Sequence, residues 1–147
     1  MTKKIFGLFL VIGLIILGYF LYSSEPIKTE ESALEIIDLK PNLIRVTSPN
    51  LNARVSSPLL ITGEARGYWY FEASFLIEIV DSKGNVLGKG IAQAKSEWMT
   101  ENFVPFETSV TFTKPFTETR GKIILHKDNP SGLPEYDDFL EIPIKFE

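Results

Sequence analysis

His126 is the one histidine of this 147-residue chain, which limits the chemistry it can carry. A Ser-His-Asp triad or a histidine-bearing zinc site would have to use it, and it falls in the apolar run G-K-I-I-L-H-K, where an ordinary strand residue is the expected reading. Glycosidase-type chemistry needs only two carboxylates, and Glu64, Glu72, Glu78, Glu107, Glu135, Asp137 and Asp138 are available for it. Acids spread in this way are also the normal surface of a globular domain, so a small anchored or secreted carboxylate-dependent hydrolase stands as the alternative. The stretch 128–138, D-N-P-S-G-L-P-E-Y-D-D, is rich in oxygen ligands but lacks the D-x-D-x-D-G spacing of a calcium loop. It reads instead as a proline-stiffened connection whose side chains cap backbone turns. The chain has no cysteine, so a thiol nucleophile, a disulfide framework and a lipid-modified N-terminal cysteine are excluded. No metal, no cofactor and no catalytic residue is expected.

What remains is aromatic. Tyr68, Trp69, Tyr70 and Phe71 are consecutive, and Trp98 with Met99 lies in the longest irregular connection. Aromatic side chains on loops offer large contact area at low entropic cost. Tyr68, Tyr70 and Trp98 are therefore the candidate binding residues, with packing of the same rings onto the sheet as the competing reading.

These residues must be held by a β-rich frame. From residue 43 onward, short runs rich in β-branched and aromatic residues alternate with Pro, Gly, Asn and Ser clusters, the pattern of an all-β sandwich. Strands are expected over 43–47, 59–65, 71–81, 86–93, 106–113, 121–127 and 138–146. Seven antiparallel strands fit an immunoglobulin-like sandwich. In the third, period-two alternation sends Phe71, Ala73, Phe75, Ile77 and Ile79 inward and Glu72, Ser74 and Glu78 outward. Continued upstream, that parity turns Trp69 inward and Tyr68 and Tyr70 outward. Asp81-Ser82-Lys83-Gly84 supplies a hairpin turn with glycine where positive φ is best tolerated. Pro143 cannot donate to a ladder, which makes the last strand an edge, or bulged, at that position.

The N-terminus is a different material. After Lys3 and Lys4, residues 5–22 carry no charge and would rise about 27 Å as a helix, enough to span a bilayer core. The apolar run exceeds that of a typical signal peptide, and Leu21 or Tyr22 would occupy the site where cleavage after Ser23 or Ser24 needs a small residue. A retained signal-anchor over 1–22 with its N-terminus in the cytoplasm is expected, with secretion after cleavage as the alternative. Residues 23–41 read as an acidic stalk in which Ser32 and Glu35 match a capping box, and 42–147 as the sandwich. Formal charge is −4; removing Lys3 and Lys4 leaves 13 basic against 19 acidic residues, or −6, from Ser23 on. Nucleic acid is therefore a disfavoured partner.

Six segments in order carry a resemblance: I-R-V-T-S-P at 44–49, S-S-P-L at 56–59, G-E-A-R-G at 63–67 with F-E-A-S-F at 71–75, D-S-K-G-N-V-L-G at 81–88, W-M-T-E-N-F-V-P-F at 98–106, and K-D-N-P-S-G-L-P-E at 127–135 with L-E-I-P-I at 140–144. Together they resemble the bacterial spore-germination immunoglobulin-like domain, Gmad2, over residues 44–146. The resemblance implies a sandwich without known catalysis, placed in the bacterial envelope and associated with sporulation and germination. It brings no ligand residues. The function expected is that of a membrane-anchored, extracytoplasmic module that binds or positions an envelope protein or cell-wall glycan, with a purely structural spacer as a further alternative.

Overall fold

The computed structural model describes residues 39–147. The expected membrane span at 5–22, the stalk up to residue 38 and the capping box at Ser32 and Glu35 lie outside the described residues. Eight strands form: β1 (Ile44–Ser48), β2 (Arg54–Val55), β3 (Leu59–Arg66), β4 (Ser74–Asp81), β5 (Val86–Ala94), β6 (Phe103–Val110), β7 (Arg120–His126) and β8 (Phe139–Phe146). Their order is β1-β3-β6-β5-β4-β7-β8-β2 in one sheet.

That sheet curls into two layers. β5 and β6 pair only through Gln93↔Glu107 and Ala94↔Phe106, whereas β3 and β6 pair over their full lengths. The short β5–β6 seam is a corner, joining β1-β3-β6 to β5-β4-β7-β8-β2. Phe75 of β4 meets Phe106 of β6 across the interior with ring centroids 5.0 Å apart. Ile61, Ala65, Ile77, Ile79, Ile123, Leu125, Leu140 and Ile144 complete a core with almost no exposure. On the side away from the corner the layers stay parted. Ile44 and Val46 of β1 and Leu140 and Ile142 of β8 share a groove of about 250 Å³ there, rimmed by Leu39 and Leu51.

The strand count and some strand bounds need correction, and the expected 106–113 strand forms three residues earlier as β6. The seven-strand count omits β2, a two-residue strand between turns that is too short to show any periodicity and that pairs parallel with β8. The last strand is the edge at Pro143, as expected, and gains β2 as a ladder neighbour only from Lys145 on. Pro143 fits because the carbonyls and amides of the odd residues of β8 face β2, as in Asn52 N to Pro143 O at 2.7 Å and Lys145 N to Ala53 O at 2.8 Å. The missing N–H thus falls just before the β2 ladder begins at Arg54↔Lys145. Finally, the third predicted strand starts at Ser74 rather than residue 71. Glu72 and Ala73 adopt positive φ, +48° and +61°, which breaks the alternation and leaves Phe71 exposed, while Phe75, Ile77 and Ile79 point inward as expected.

The Asp81 hairpin forms as read. Asp81 accepts hydrogen bonds from Lys83 N at 2.9 Å, Asn85 N at 2.8 Å and Asn85 Nδ2 at 2.8 Å, and Gly84 has φ +84°. The Asn85 side-chain bond leads the interactions that hold the Asp81 carboxyl below its usual range.

Candidate aromatic and cationic binding site

The candidate aromatics gather at the end of the sandwich where β3 runs out and β6 begins. Gly67–Trp69 form one 3₁₀ turn after β3, and residues 95–102 connect β5 to β6. The two segments touch through Gly67, whose N–H donates to Asn102 O at 3.1 Å. A Cβ at Gly67 would lie 1.9 Å from Thr100 O and 2.2 Å from Trp98 O, so only glycine admits this approach.

The 3₁₀ turn also overturns the parity argument for Tyr70. Rotation by a helical turn replaces alternation, and Trp69 and Tyr70 both turn inward, at 0% and 3% exposure, while Tyr68 stands out at 51%. Tyr70 is therefore a core residue and not an exposed binding candidate. Its hydroxyl donates to Val104 O at 2.6 Å, its ring packs edge-on to Phe75 at 5.2 Å, and burial pushes its phenol well above the usual range. Trp98 is half-buried and packs against the core cluster. Its neighbour Met99 projects at 74% exposure. Of the three candidates, Tyr68 alone presents a largely free ring.

Around Tyr68 the surface is polar and cationic. Asn42, Leu43, Arg66, Tyr68, Glu101 and Asn102 border an open depression of about 460 Å³. Arg66 is fixed by bonds from Nε to Asn42 O at 3.0 Å and from Nη1 to Glu101 O at 3.1 Å. The guanidiniums of Arg66 and Arg45 each lie 4.0 Å from the centroid of the Phe103 ring. Arg45 also pairs with Glu64 at 3.0 Å and bonds Pro41 O at 2.7 Å. Cation–π contacts and backbone carbonyls thus hold both guanidiniums in place beside the aromatic ring. The sequence reading missed Arg45, Arg66 and Phe103. The residue pair Arg66↔Phe103 emerges from the β3–β6 register, and no local pattern signals it.

The other chemistry-bearing residues are dispersed. His126 Nε2 lies 3.1 Å from Glu78 Oε2, and Glu78 Oε1 lies 2.6 Å from Lys89 Nζ, a cross-strand row over β5, β4 and β7. Lys89, followed by His126, pulls the Glu78 carboxyl below its usual range, whereas a general acid needs it raised. Glu107 pairs with Lys95 at 3.4 Å and Asp138 with Lys40 at 2.9 Å. In the 128–138 connection Asn129 Nδ2 donates to Leu133 O and to Asp137 Oδ1, each at 2.8 Å, and Leu133 N donates to Ser131 Oγ at 3.2 Å. Its polar side chains tie the loop together. Among the described residues no group of three or more His, Asp or Glu is placed to hold a metal ion.

A family model described as the immunoglobulin-like domain of bacterial spore germination, Gmad2, matches residues 43–132. An all-β, two-layered curled sheet is the architecture such a domain requires, and the chain belongs to this family. Immunoglobulin-like domains are generally non-catalytic, and the family description links this domain to bacterial spore germination. No curated protein and no solved structure matches the chain significantly.

Proposed function

We propose that this protein is a membrane-anchored, extracytoplasmic module of the bacterial envelope that binds or positions another envelope component through the Arg66–Tyr68 end of its sandwich. The observation that carries this reading is Tyr68, half-exposed beside a depression of about 460 Å³ whose Arg66 guanidinium is already fixed by the backbone carbonyls of Asn42 and Glu101, with the side chains of Asn42, Glu101 and Asn102 around it. A ring edged by such groups suits the hydroxyls of a cell-wall glycan or a polar protein surface. No reaction is assigned to it. The uncharged run 5–22 behind Lys3 and Lys4 supports a retained anchor with the sandwich outside.

The test is crosslinking in living cells. A photoreactive residue in place of Met99, exposed in the connection that also carries Glu101 and Asn102 of the depression, should capture a discrete envelope partner, and the same residue in place of Ile91, on the outer face of the second layer, should not. Equal capture from both positions, or from neither, contradicts the reading. Full-length protein should also stay with membranes through an alkaline carbonate wash, whereas a mature product starting near Ser24 or Glu25 contradicts the retained anchor.

A further inference from the structure

Three cations stand side by side on the outer face of the second layer, at the end of β8 remote from Leu39. Lys145 of β8 is opposite Arg120 of β7 on one side and opposite Arg54 of β2 on the other. Their chain neighbours Val55, Gly121, Ile144 and Phe146 are buried, so all three project outward. The ladder bonds between β7 and β8 belong to the even residues of β8, as in Phe146 N to Thr119 O and Lys127 N to Asp138 O. Arg120↔Lys145 is therefore a pair without mutual bonds, the closer kind, with Cα atoms about 4.5 Å apart. Like charges facing each other at that separation repel.

Several other cations of the described surface face a carboxylate: Arg45 with Glu64, Lys83 with Glu118, Lys89 with Glu78, Lys95 with Glu107, and Lys122 with Glu141. Among the described residues no carboxylate lies within 4.0 Å of the charged nitrogens of Arg54, Arg120 or Lys145. This is a basic row on a domain with an excess of acids. The three residues, with Thr119 and Phe146, border a depression of about 300 Å³.

We propose that the Arg54–Lys145–Arg120 row is a binding site for phosphate oxyanions, and that its fullest occupant is a chain of linked phosphates. A guanidinium fork at each end matches phosphate oxygens in pairs, and the ammonium between them supplies a point charge. Strands spaced about 4.8 Å apart spread the row over about 10 Å, so one phosphate engages neighbouring cations while successive phosphates of a polymer engage all three. The Thr119 hydroxyl is a further donor at the rim. This site is separate from the Tyr68 depression and does not rest on its proposed role.

The test uses full-length protein in non-ionic detergent, titrated with inorganic polyphosphate, glycerol phosphate and polyglutamate. Polyphosphate should bind and should weaken steeply as salt rises above about 50 mM, through counterion release. Joint substitution Arg54→Gln, Arg120→Gln and Lys145→Gln should weaken binding about ten-fold or more, while Lys95→Gln leaves it unchanged. The triple variant should melt no lower than the parent, since it removes repulsion and no partner; Lys145→Gln alone serves as a milder version that retains the forks. Tight binding of glycerol phosphate supports the oxyanion site and identifies a single phosphate, of a headgroup or free, as sufficient. Polyphosphate binding that survives the triple substitution, absent binding at low salt, or equal binding of polyglutamate overturns the proposal.

Discussion

Gly67 and Trp98 are in backbone contact: a Cβ on Gly67 would lie 2.2 Å from the Trp98 carbonyl oxygen, so the turn that displays Tyr68 and the loop that displays Met99 are one joined surface. Gly67→Ala must push residues 98–100 away, because the obstructing atoms are backbone and cannot rotate aside. The variant should lose stability and partner capture together. A melting curve and the Met99 crosslink, measured on the same preparation, check this.

The interior predicts its own sensitivity. Phe75, 1% exposed between Tyr70 and Phe106, should cost about 3–5 kcal/mol on truncation to alanine, as measured by denaturant unfolding. A change below about 1 kcal/mol is inconsistent with a ring packed on both sides.

Tyr70→Phe isolates the buried hydroxyl. It should lower stability by about 0.5–1.5 kcal/mol, because the Val104 carbonyl loses one of its two donors and keeps its β3–β6 ladder bond, and should leave partner capture intact. Lost capture at unchanged stability contradicts the assignment of Tyr70 to the core.

The Glu78 row predicts a pH dependence. With its folded-state pKa depressed by Lys89 and His126, Glu78 contributes stability that is present above its unfolded pKa of about 4.3 and is lost as pH falls through the lower folded value. Melting temperatures of the parent and Glu78→Gln should differ at pH 6 and converge as pH drops below about 4. A difference that stays constant over this range contradicts the row's contribution.

Much of the fold was legible in the sequence because burial follows alternation inside a strand. Phe75, Ile77 and Ile79 were readable for that reason, as was the Asp81–Gly84 turn, whose chemistry is local. The reading failed where local geometry changed without changing composition. Positive φ at Glu72 and Ala73 and the 3₁₀ turn at Gly67–Trp69 reset the phase, which sent Tyr70 inward. The site's cationic half was invisible for another reason: Arg45, Arg66 and Phe103 are distant in sequence and meet only through the β1–β3 and β3–β6 registers.

The most direct test of the account is Tyr68→Ala in the full-length protein carrying the Met99 crosslinker. Because the Tyr68 ring is half-exposed, its removal should move the melting temperature by only a few degrees while abolishing the partner crosslink in cells. An undiminished crosslink at unchanged stability contradicts Tyr68 as the anchor of the binding end, and a collapse of stability contradicts the separation of folding from binding.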